Sequence, residues 1–459
     1  MKVIKSGGES TGTADKIKVL TGYIKSIPET IVLVVSAPAT KEARVTELLK
    51  NNMEEKIKEI FNNITKQLNI DFKVEFEQGL HIGEHIHSQL IAKYLKSQNI
   101  NATWVDAKQA IEIKNNKITN INKKLFKNHQ VYVIGGFYGT ENNKTATLPI
   151  GGSDITAGAI AGFLKVDEYQ NLKEFPGVAV TDPKYLKDTK IIKQATYAEI
   201  REAVYRSQKS LLEPTSLEHC KQNNIPIKIK SLTEKGETLI TNTRENMPPL
   251  TNIACKEGFR IYNFKDKSLK GIFNKFAEKN ISIDMVNTNK DTISVAVYEP
   301  EKGDQALISI VGEGIAKPIT FTKWIQSKTN PTEIYGPILG GLETEMTIFH
   351  IELFGMNSII GYAKNLIELF EKNNIPVHAA STTIDSFSIG TKENLSKEKI
   401  KSISKQIKEK VGADIVSTTK NGLHCNGKNK DVRNITIAVP NEKAKQIVEQ
   451  LYSKLKDSF

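Results

Sequence analysis

The chain has 459 residues, 39% of them hydrophobic, and a formal net charge of +12 from 64 Lys and Arg against 52 Asp and Glu. At roughly 150 residues per domain this length predicts two to four domains, and the lack of any run of about 18 apolar residues excludes a membrane-spanning helix. The three cysteines (Cys220, Cys255 and Cys425) are too scattered for a disulfide framework or zinc ribbon, and the positive charge is mixed with acids along the whole chain without any nucleic-acid-binding signature.

Val3–Ser10 (V-I-K-S-G-G-E-S) begins as a short apolar strand and breaks at Lys5 and the Gly7-Gly8 pair. This interruption leaves no signal-peptide core, so a cytoplasmic location is expected. A lysine at a strand end beside a glycine turn can hold a transferring phosphoryl group, although the P-loop spacing is absent. Ile31–Ser36 reads as a buried strand. Glu84–Gln98 reads as an amphipathic helix with Ile86, Leu90, Ile91 and Tyr94 on one face. His81–His85 matches the zinc pattern H-x-x-E-H, but Gly83 weakens such a helix and no third ligand follows. His81, His85 and His87 are therefore expected to flank a substrate pocket or lie on its surface. Gln130–Gly135 is a second buried strand.

Thr147–Gly158 carries the strongest local signal. Gly151, Gly152, Ser153 and Asp154 precede the apolar run Ala157–Leu164, the order expected where a loop enters a helix. Glycines admit close backbone approach, a helix N-terminus offers free N–H groups to an anion, and Asp154 can cap the helix or face a metal. Thr196–Leu212 reads as another amphipathic helix. The alternation of strands and helices predicts a three-layer α/β domain with a largely parallel sheet.

The second half contains an internal repeat. Ile272–Val295 aligns with Leu366–Ile389 at a constant shift of 94, with Phe276/Phe370, Asn280/Asn374, Ile281/Ile375, Thr288/Thr382, Asp291/Asp385 and Ser294/Ser388 identical. Each copy runs helix, turn at Asn, strand, turn, strand, which is part of a ferredoxin-like unit. Leu307–Gly314 reads as a strand and turn, and Pro331–Leu342 as a linker.

Taken in order, Lys5-x-Gly7-Gly8, Val34–Pro38 with Val45–Leu49, Gly83-Glu84 before Ser88-x-Leu90, Trp104–Ala107, Gly136–Gly139, Gly151–Asp154, Gly177-Val178 with Thr181-Asp182-Pro183, Tyr197-x-Glu199 and Ile225–Ile227 resemble the aspartokinases of the amino-acid kinase superfamily. The likeness covers about residues 1–243, and the second-half repeat resembles the ACT domains that follow the kinase domain in that family. The resemblance implies a carbamate-kinase-like catalytic domain over 1–245 and a tandem ACT region over 252–459, with copies near 252–300 and 344–455. It implies ATP with Mg²⁺ phosphorylating the side-chain carboxylate of L-aspartate, an amino-acid effector, and a homodimer or larger assembly.

By the same resemblance, Lys5 stabilises the γ-phosphoryl group and Asp154 orients Lys5 or the metal. Gly7, Gly8, Gly151 and Gly152 cradle phosphates, and Lys173, Thr181, Asp182 and Lys209 belong to the nucleotide site. Glu84 takes the substrate ammonium, and Ser36, Thr46 and Ser153 line the amino-acid pocket. Asp284 is the effector-binding acid, with His378 at its place in the second copy.

Three departures stand out. The family's G-R-G-G-S-D arginine is Ile150, which cannot clamp a substrate carboxylate. Leu172–Gly177 replaces the W-T-D-V-D-G stretch, and the opening carries Ser6 and Glu9 in place of the usual Phe and Thr. A diverged paralogue acting on another carboxylate, or a catalytically weak amino-acid sensor, remains an alternative. Lys144 is a candidate to replace the arginine.

Overall fold

The computed structural model describes residues 1–40, 43–127, 129–149, 151–207, 212–244, 248–265, 268–288, 292–312, 325, 327–335, 346–353, 356, 359–382, 385–413, 415–420 and 434–459. Two compact units are present: Met1–Val178 with Ile191–Arg201 and Ser210–Met247, and Ala179–Lys190 with Glu202–Lys209 and Pro248–Phe459.

The first unit is built on strands β1 (Lys2–Ser6), β2 (Ile31–Val35), β3 (Ala102–Val105), β4 (Ile111–Lys114), β5 (Lys117–Ile121), β6 (Val131–Gly135), β7 (Tyr138–Glu141), β8 (Lys144–Thr147), β9 (Glu168–Leu172), β10 (Gln194–Thr196), β11 (Ile227–Lys230) and β12 (Glu237–Thr241). Eight form the main sheet in the order β10-β12-β11-β9-β1-β2-β6-β3, and β5-β4-β7-β8 form a small side sheet. The run β11-β9-β1-β2-β6-β3 is parallel throughout. Its neighbouring strands β2 (IVLVV) and β6 (VYVIG) carry no charged residue and are buried throughout, because helices cover both faces. Ile4, Leu33 and Val133 pack with Ile17, Leu20, Ile57, Phe61, Ile86 and Leu90 from helices Ala14–Lys25, Glu54–Leu68 and Ile82–Ser97. On the opposite face, helix Gly152–Leu164 packs against β1 and against helix Leu217–Gln222. This is the three-layer α/β arrangement expected from the sequence.

Parallel pairing brings the C-terminal ends of β1, β2, β6 and β9 to one edge of the sheet, where Gly7, Ser36, Gly136 and Lys173 follow directly. That edge is where open α/β sheets place their ligands.

The second unit contains β13 (Asn252–Lys265), β14 (Met285–Thr288), β15 (Thr292–Tyr298), β16 (Gln305–Val311), β17 (Glu333–Tyr335), β18 (Thr347–Glu352), β19 (Ala379–Thr382), β20 (Ser386–Thr391), β21 (Ile415–Lys420) and β22 (Asn434–Pro440). They make one sheet in the order β17-β22-β16-β13-β15-β14-β19-β20-β18-β21. Within it, β14-β15-β13-β16 and β19-β20-β18-β21 repeat the same ferredoxin-like order. Helices Leu269–Glu278 and Tyr362–Lys372 occupy equivalent places, with Phe276 and Phe370 buried in one shared core. Asn280 (φ 55°) and Asn374 (φ 56°) turn both copies through the left-handed region that Asn tolerates.

The two copies meet through β14 and β19, where Asn287 pairs antiparallel with Ser381, its own equivalent. The Val286 N–H donates to Thr382 Oγ1 (2.9 Å), and the Ala380 N–H donates to Thr288 Oγ1 (2.9 Å). These are the same bond written in each direction about a local twofold axis.

The assignment of the C-terminal elements to the second copy is corrected. Asn434–Pro440 pairs with β16, and helix Ala444–Leu455 packs on β13 and β16, in the first copy's half. Ile437 and Val439 are buried there with Ile308, Ile310, Ile447 and Val448, so apolar burial decides the placement. The expected helix over Thr196–Leu212 is described as Tyr197–Tyr205, and 208–211 lie outside the described residues.

Candidate active site

Strand alternation puts Val3 and Lys5 on one face of β1, and Tyr169 and Asn171 on the same face of the neighbouring β9. Lys5 pairs with Asn171 in register. Helix Gly152–Leu164 lies over that face and presents Asp154 from its first turn, where an acid suits the helix dipole. The Lys5 ammonium sits 2.9 Å from Asp154 Oδ1, and both side chains are buried. Asn171 Nδ2 donates to the same oxygen (3.0 Å) and to the Tyr169 hydroxyl (2.9 Å). Lys173 approaches the other carboxylate oxygen at 3.5 Å.

Burial would raise the Asp154 carboxyl, but the Lys173 and Lys5 ammoniums and the Asn171 amide outweigh it and hold the group well below the usual carboxylate range. Burial pushes Lys173 down to about 8 against the opposing attraction of Asp154, with Lys5 adding to the fall. The cluster therefore holds two cations and one fixed anion in a dry pocket.

Around this core the loops are tightly drawn. A Cβ on Gly8 would lie 2.2 Å from the Ala37 carbonyl oxygen, whereas one on Gly7 would meet only ordinary contacts, 3.6 Å from Lys5 Nζ. The Gly7-Gly8 pair thus serves two ends, close packing at Gly8 and ordinary contact beside the lysine at Gly7. Gly151 is left-handed (φ +85°) and begins the turn into the helix, and Gly152 is its first residue. Ser153 is buried beside Gly136.

Helix Ile82–Ser97 points its N-terminal turn at the loop after β2. It begins two residues before the predicted start and is buried on nearly every side rather than amphipathic. Glu84 is buried, its Oε2 has no hydrogen-bond partner among the described residues, and burial raises its carboxyl to about 7 against the Ala37 N–H, its own N–H and the charge of Lys5. The surface alternative for the histidines is corrected, because His81, His85 and His87 are all buried. His87 Nδ1 lies 2.7 Å from the Ser36 carbonyl oxygen. Burial lowers its imidazole to about 4 despite the Ser36 and Thr11 backbone groups, so it is neutral. His85 Nδ1 lies 3.1 Å from the Tyr138 hydroxyl. Among the described residues no group of three or more His, Cys, Asp and Glu is placed to hold a metal ion.

Lys5, Gly7, Gly8, Ser36, Glu84, Gly151, Gly152, Ser153, Asp154 and Lys173 thus come together at one sheet edge. Ser36 is half-buried, its N–H donating to the Ser6 carbonyl at 3.2 Å. Thr46 is half-buried on the short helix Val45–Lys50, whose Val45 and Leu49 pack near Gly83.

Thr181 and Asp182 belong to the second unit. The Thr181 hydroxyl is fully enclosed, and its backbone makes a parallel β-bridge with Ile253. The Asp182 carboxylate accepts the Lys184 N–H (2.8 Å) in a turn. Lys209 and Ile150 lie outside the described residues. Lys144 is exposed at the tip of the β7–β8 hairpin. Asn171 was missed in the sequence, although its spacing of two from Tyr169 and Lys173 was a readable strand signal. His87 was read only as a pocket-flanking group, because its bond to Ser36 spans 51 residues.

In the second unit the buried Asp284 carboxylate accepts the Tyr205 hydroxyl (2.8 Å) and the Tyr298 N–H (3.0 Å). The Lys256 ammonium stands 3.9 Å from the Tyr298 ring centroid. A pocket lined by Phe273, Ile283, Asp284, Ile360, Tyr362 and Lys364 opens beside it. His378, at the corresponding place, is exposed.

The model of the Amino acid kinase family matches residues 1–231, half of the chain. The chain belongs to the amino acid kinase family. It is 26% identical over 419 residues to Aspartokinase 2 of Bacillus subtilis, covering 85% of this chain and 94% of that protein. Two solved structures resemble it over nearly their whole length: the aspartate kinase of Clostridium acetobutylicum (TM-score 0.62, 19% identity, 99% of each chain) and E. coli aspartokinase III in complex with aspartate and ADP (TM-score 0.63, 18% identity, 99% of this chain and 100% of that one). For this amino acid kinase those likenesses describe the fold. No helix among the described residues is long and apolar enough to cross a membrane.

Proposed function

We propose that this chain is an ATP-dependent aspartate kinase, with residues 1–245 as its catalytic domain and 252–459 as a tandem ACT region that answers to an amino-acid effector. The observation that carries the reading is the buried Lys5–Asp154 pair at the carboxyl edge of a parallel sheet, beside a glycine loop and a helix N-terminus. A carboxylate acceptor is already ionised near neutral pH, so no general base is required. One of its oxygens bonds to the γ-phosphorus as the bond to the β,γ-bridging oxygen breaks, giving 4-phospho-L-aspartate and ADP. Catalysis then reduces to positioning and charge neutralisation.

In that scheme Lys5 meets the transferring phosphoryl group and Asp154 holds Lys5 in place. Gly7, Gly8, Gly151 and Gly152 let the backbone approach the phosphates. Glu84, with a bare buried oxygen, receives the substrate ammonium, while Ser36, Thr46 and Ser153 border the amino-acid pocket. Mg²⁺ enters with the nucleotide, screening its phosphate charge. Lys209 and Asp182 complete the nucleotide site by resemblance. Asp284 is the effector contact, released from its Tyr205 bond when an amine replaces it. The assembly is a homo-oligomer in the cytoplasm.

The test is hydroxamate trapping with ATP, Mg²⁺ and L-aspartate. Aspartyl hydroxamate formed by the wild-type chain and lost at least about 1,000-fold in Lys5→Ala supports the reading. Pure, folded protein that forms none at saturating aspartate refutes it and favours another carboxylate acceptor.

A further inference from the structure

The Asp154 cluster carries more positive charge than its own anion accounts for. Asp154 Oδ1 is satisfied by Lys5 at 2.9 Å and Asn171 at 3.0 Å. Lys173 stands off the second oxygen at 3.5 Å, too far for a strong charge-assisted bond. Its backbone is fixed at the end of β9 by the bond from its N–H to the Lys230 carbonyl (2.9 Å). Its side chain is only 15% exposed. The nearby acids have their own cations. Glu9 is paired with Arg44, and Glu174 with Lys16 at 2.7 Å. A buried ammonium whose nearest counter-ion among the described residues stands 3.5 Å away and is shared with a second lysine is costly unless a ligand supplies more charge. The ligand edge of the sheet, one residue beyond β9 and level with Gly7 beyond β1, is where Lys173 sits.

We propose that Lys173 is a second phosphate-neutralising lysine of this site, which shares Asp154 with Lys5 in the free protein and moves onto the terminal phosphoryl group of a nucleoside triphosphate when one binds. The inference rests on the phosphoryl-transfer reading of the site but not on the identity of the acceptor. Asp154 then acts as a switching anion. It holds Lys5 throughout and releases Lys173 to the ligand, so the net charge of the pocket is cancelled only when a terminal phosphate is present. A diphosphate, which lacks that group, leaves Lys173 on Asp154.

The experiment compares full-length wild type, Lys173→Met and Lys173→Arg in two readouts. Calorimetric titration with Mg-ATP and with Mg-ADP reads the phosphate contact without any acceptor. The wild type is expected to prefer ATP, Lys173→Met to lose that preference by about tenfold, and Lys173→Arg to keep it within about threefold. Hydroxamate trapping with L-aspartate reads turnover. In Lys173→Met kcat falls about 100-fold while the aspartate KM stays within about threefold, a split that a merely structural role would not produce. An unchanged ATP-to-ADP ratio in Lys173→Met overturns the proposal. If Lys173→Met does not fold, loss of ATP preference in a folded Lys173→Arg overturns it instead. Absence of hydroxamate from the wild type refutes the aspartate reading alone, because the titrations still decide the role of Lys173.

Discussion

Glu84 and the two glycines of the opening loop show how much a single side chain decides here. Glu84 is buried with one oxygen bare, and its carboxyl is raised to about 7. If the carboxylate holds a substrate ammonium, kcat/KM rises with pH through about 7, and Glu84→Gln removes that limb and raises the aspartate KM about 100-fold. A pH–rate profile of both proteins checks this. The stability consequence has the opposite sign. A folded pKa raised above the unfolded value stabilises below the usual carboxylate range, and the effect is lost as pH rises through about 7. Glu84→Gln therefore has a higher Tm than the wild type at pH 8, and a lower one would show that the charge is compensated.

The glycines divide differently. Gly8→Ala forces a Cβ to within 2.2 Å of a backbone oxygen and is expected to cost about 2 kcal/mol or more in urea unfolding. Gly7→Ala, whose Cβ meets only ordinary contacts, stays within about 0.5 kcal/mol of wild type yet weakens nucleotide binding. The residues of this site were legible because each sits at a strand end or helix start, where sequence order sets position. Lys5, Gly151–Asp154 and Glu84 are of that kind. Asn171 and the role of His87 were not, because each acts on a partner remote in sequence: Asp154 for Asn171, Ser36 for His87.

At the level of elements, the parallel core followed from continuous β-branched runs, and the repeat from a constant spacing. What sequence could not supply was the partner of an edge. β22 was assigned to the nearest copy along the chain, but it closes against β16, more than a hundred residues earlier, because Ile437 and Val439 complete that core. The β14–β19 seam was equally hidden, since nothing in either copy states that its outer strand pairs with the other. Its symmetry makes a prediction. Thr288→Val and Thr382→Val each remove one of two equivalent buried acceptors, Thr288→Val removing in addition only the long bond of its hydroxyl to the Ala380 carbonyl (3.3 Å), and each is expected to cost about 1 kcal/mol. Denaturant titration should give the two values within about 0.5 kcal/mol of each other, with near-additive loss in the double variant. Costs differing by more than about 1 kcal/mol would show that the seam is not symmetric in energy.

For the whole molecule, two units with separate cores imply that ligands stabilise selectively. Mg-ADP at about 100 times its Kd stabilises whatever folds with the nucleotide site by about 2.7 kcal/mol. Scanning calorimetry should then show one transition rising in temperature while another stays in place. A single transition that moves as a whole would mean that the units unfold together.

The seam between Asn287 and Ser381 has a historical reading as well. Equivalent residues meeting antiparallel about a twofold axis are what two separate copies of one module form when they dimerise, the same patch facing itself. Joining such modules in one chain replaces a bimolecular encounter with an effective concentration of about millimolar. Association then no longer depends on how much protein the cell makes. From that point the two halves were free to diverge, as the axis pair Asn287 and Ser381 has done. Thr288 and Thr382 are still the same residue, while Asp284 and its counterpart His378 no longer are. In this chain a contact of the kind that joins two protomers has become an internal seam, and a buried acid has been kept by one heir.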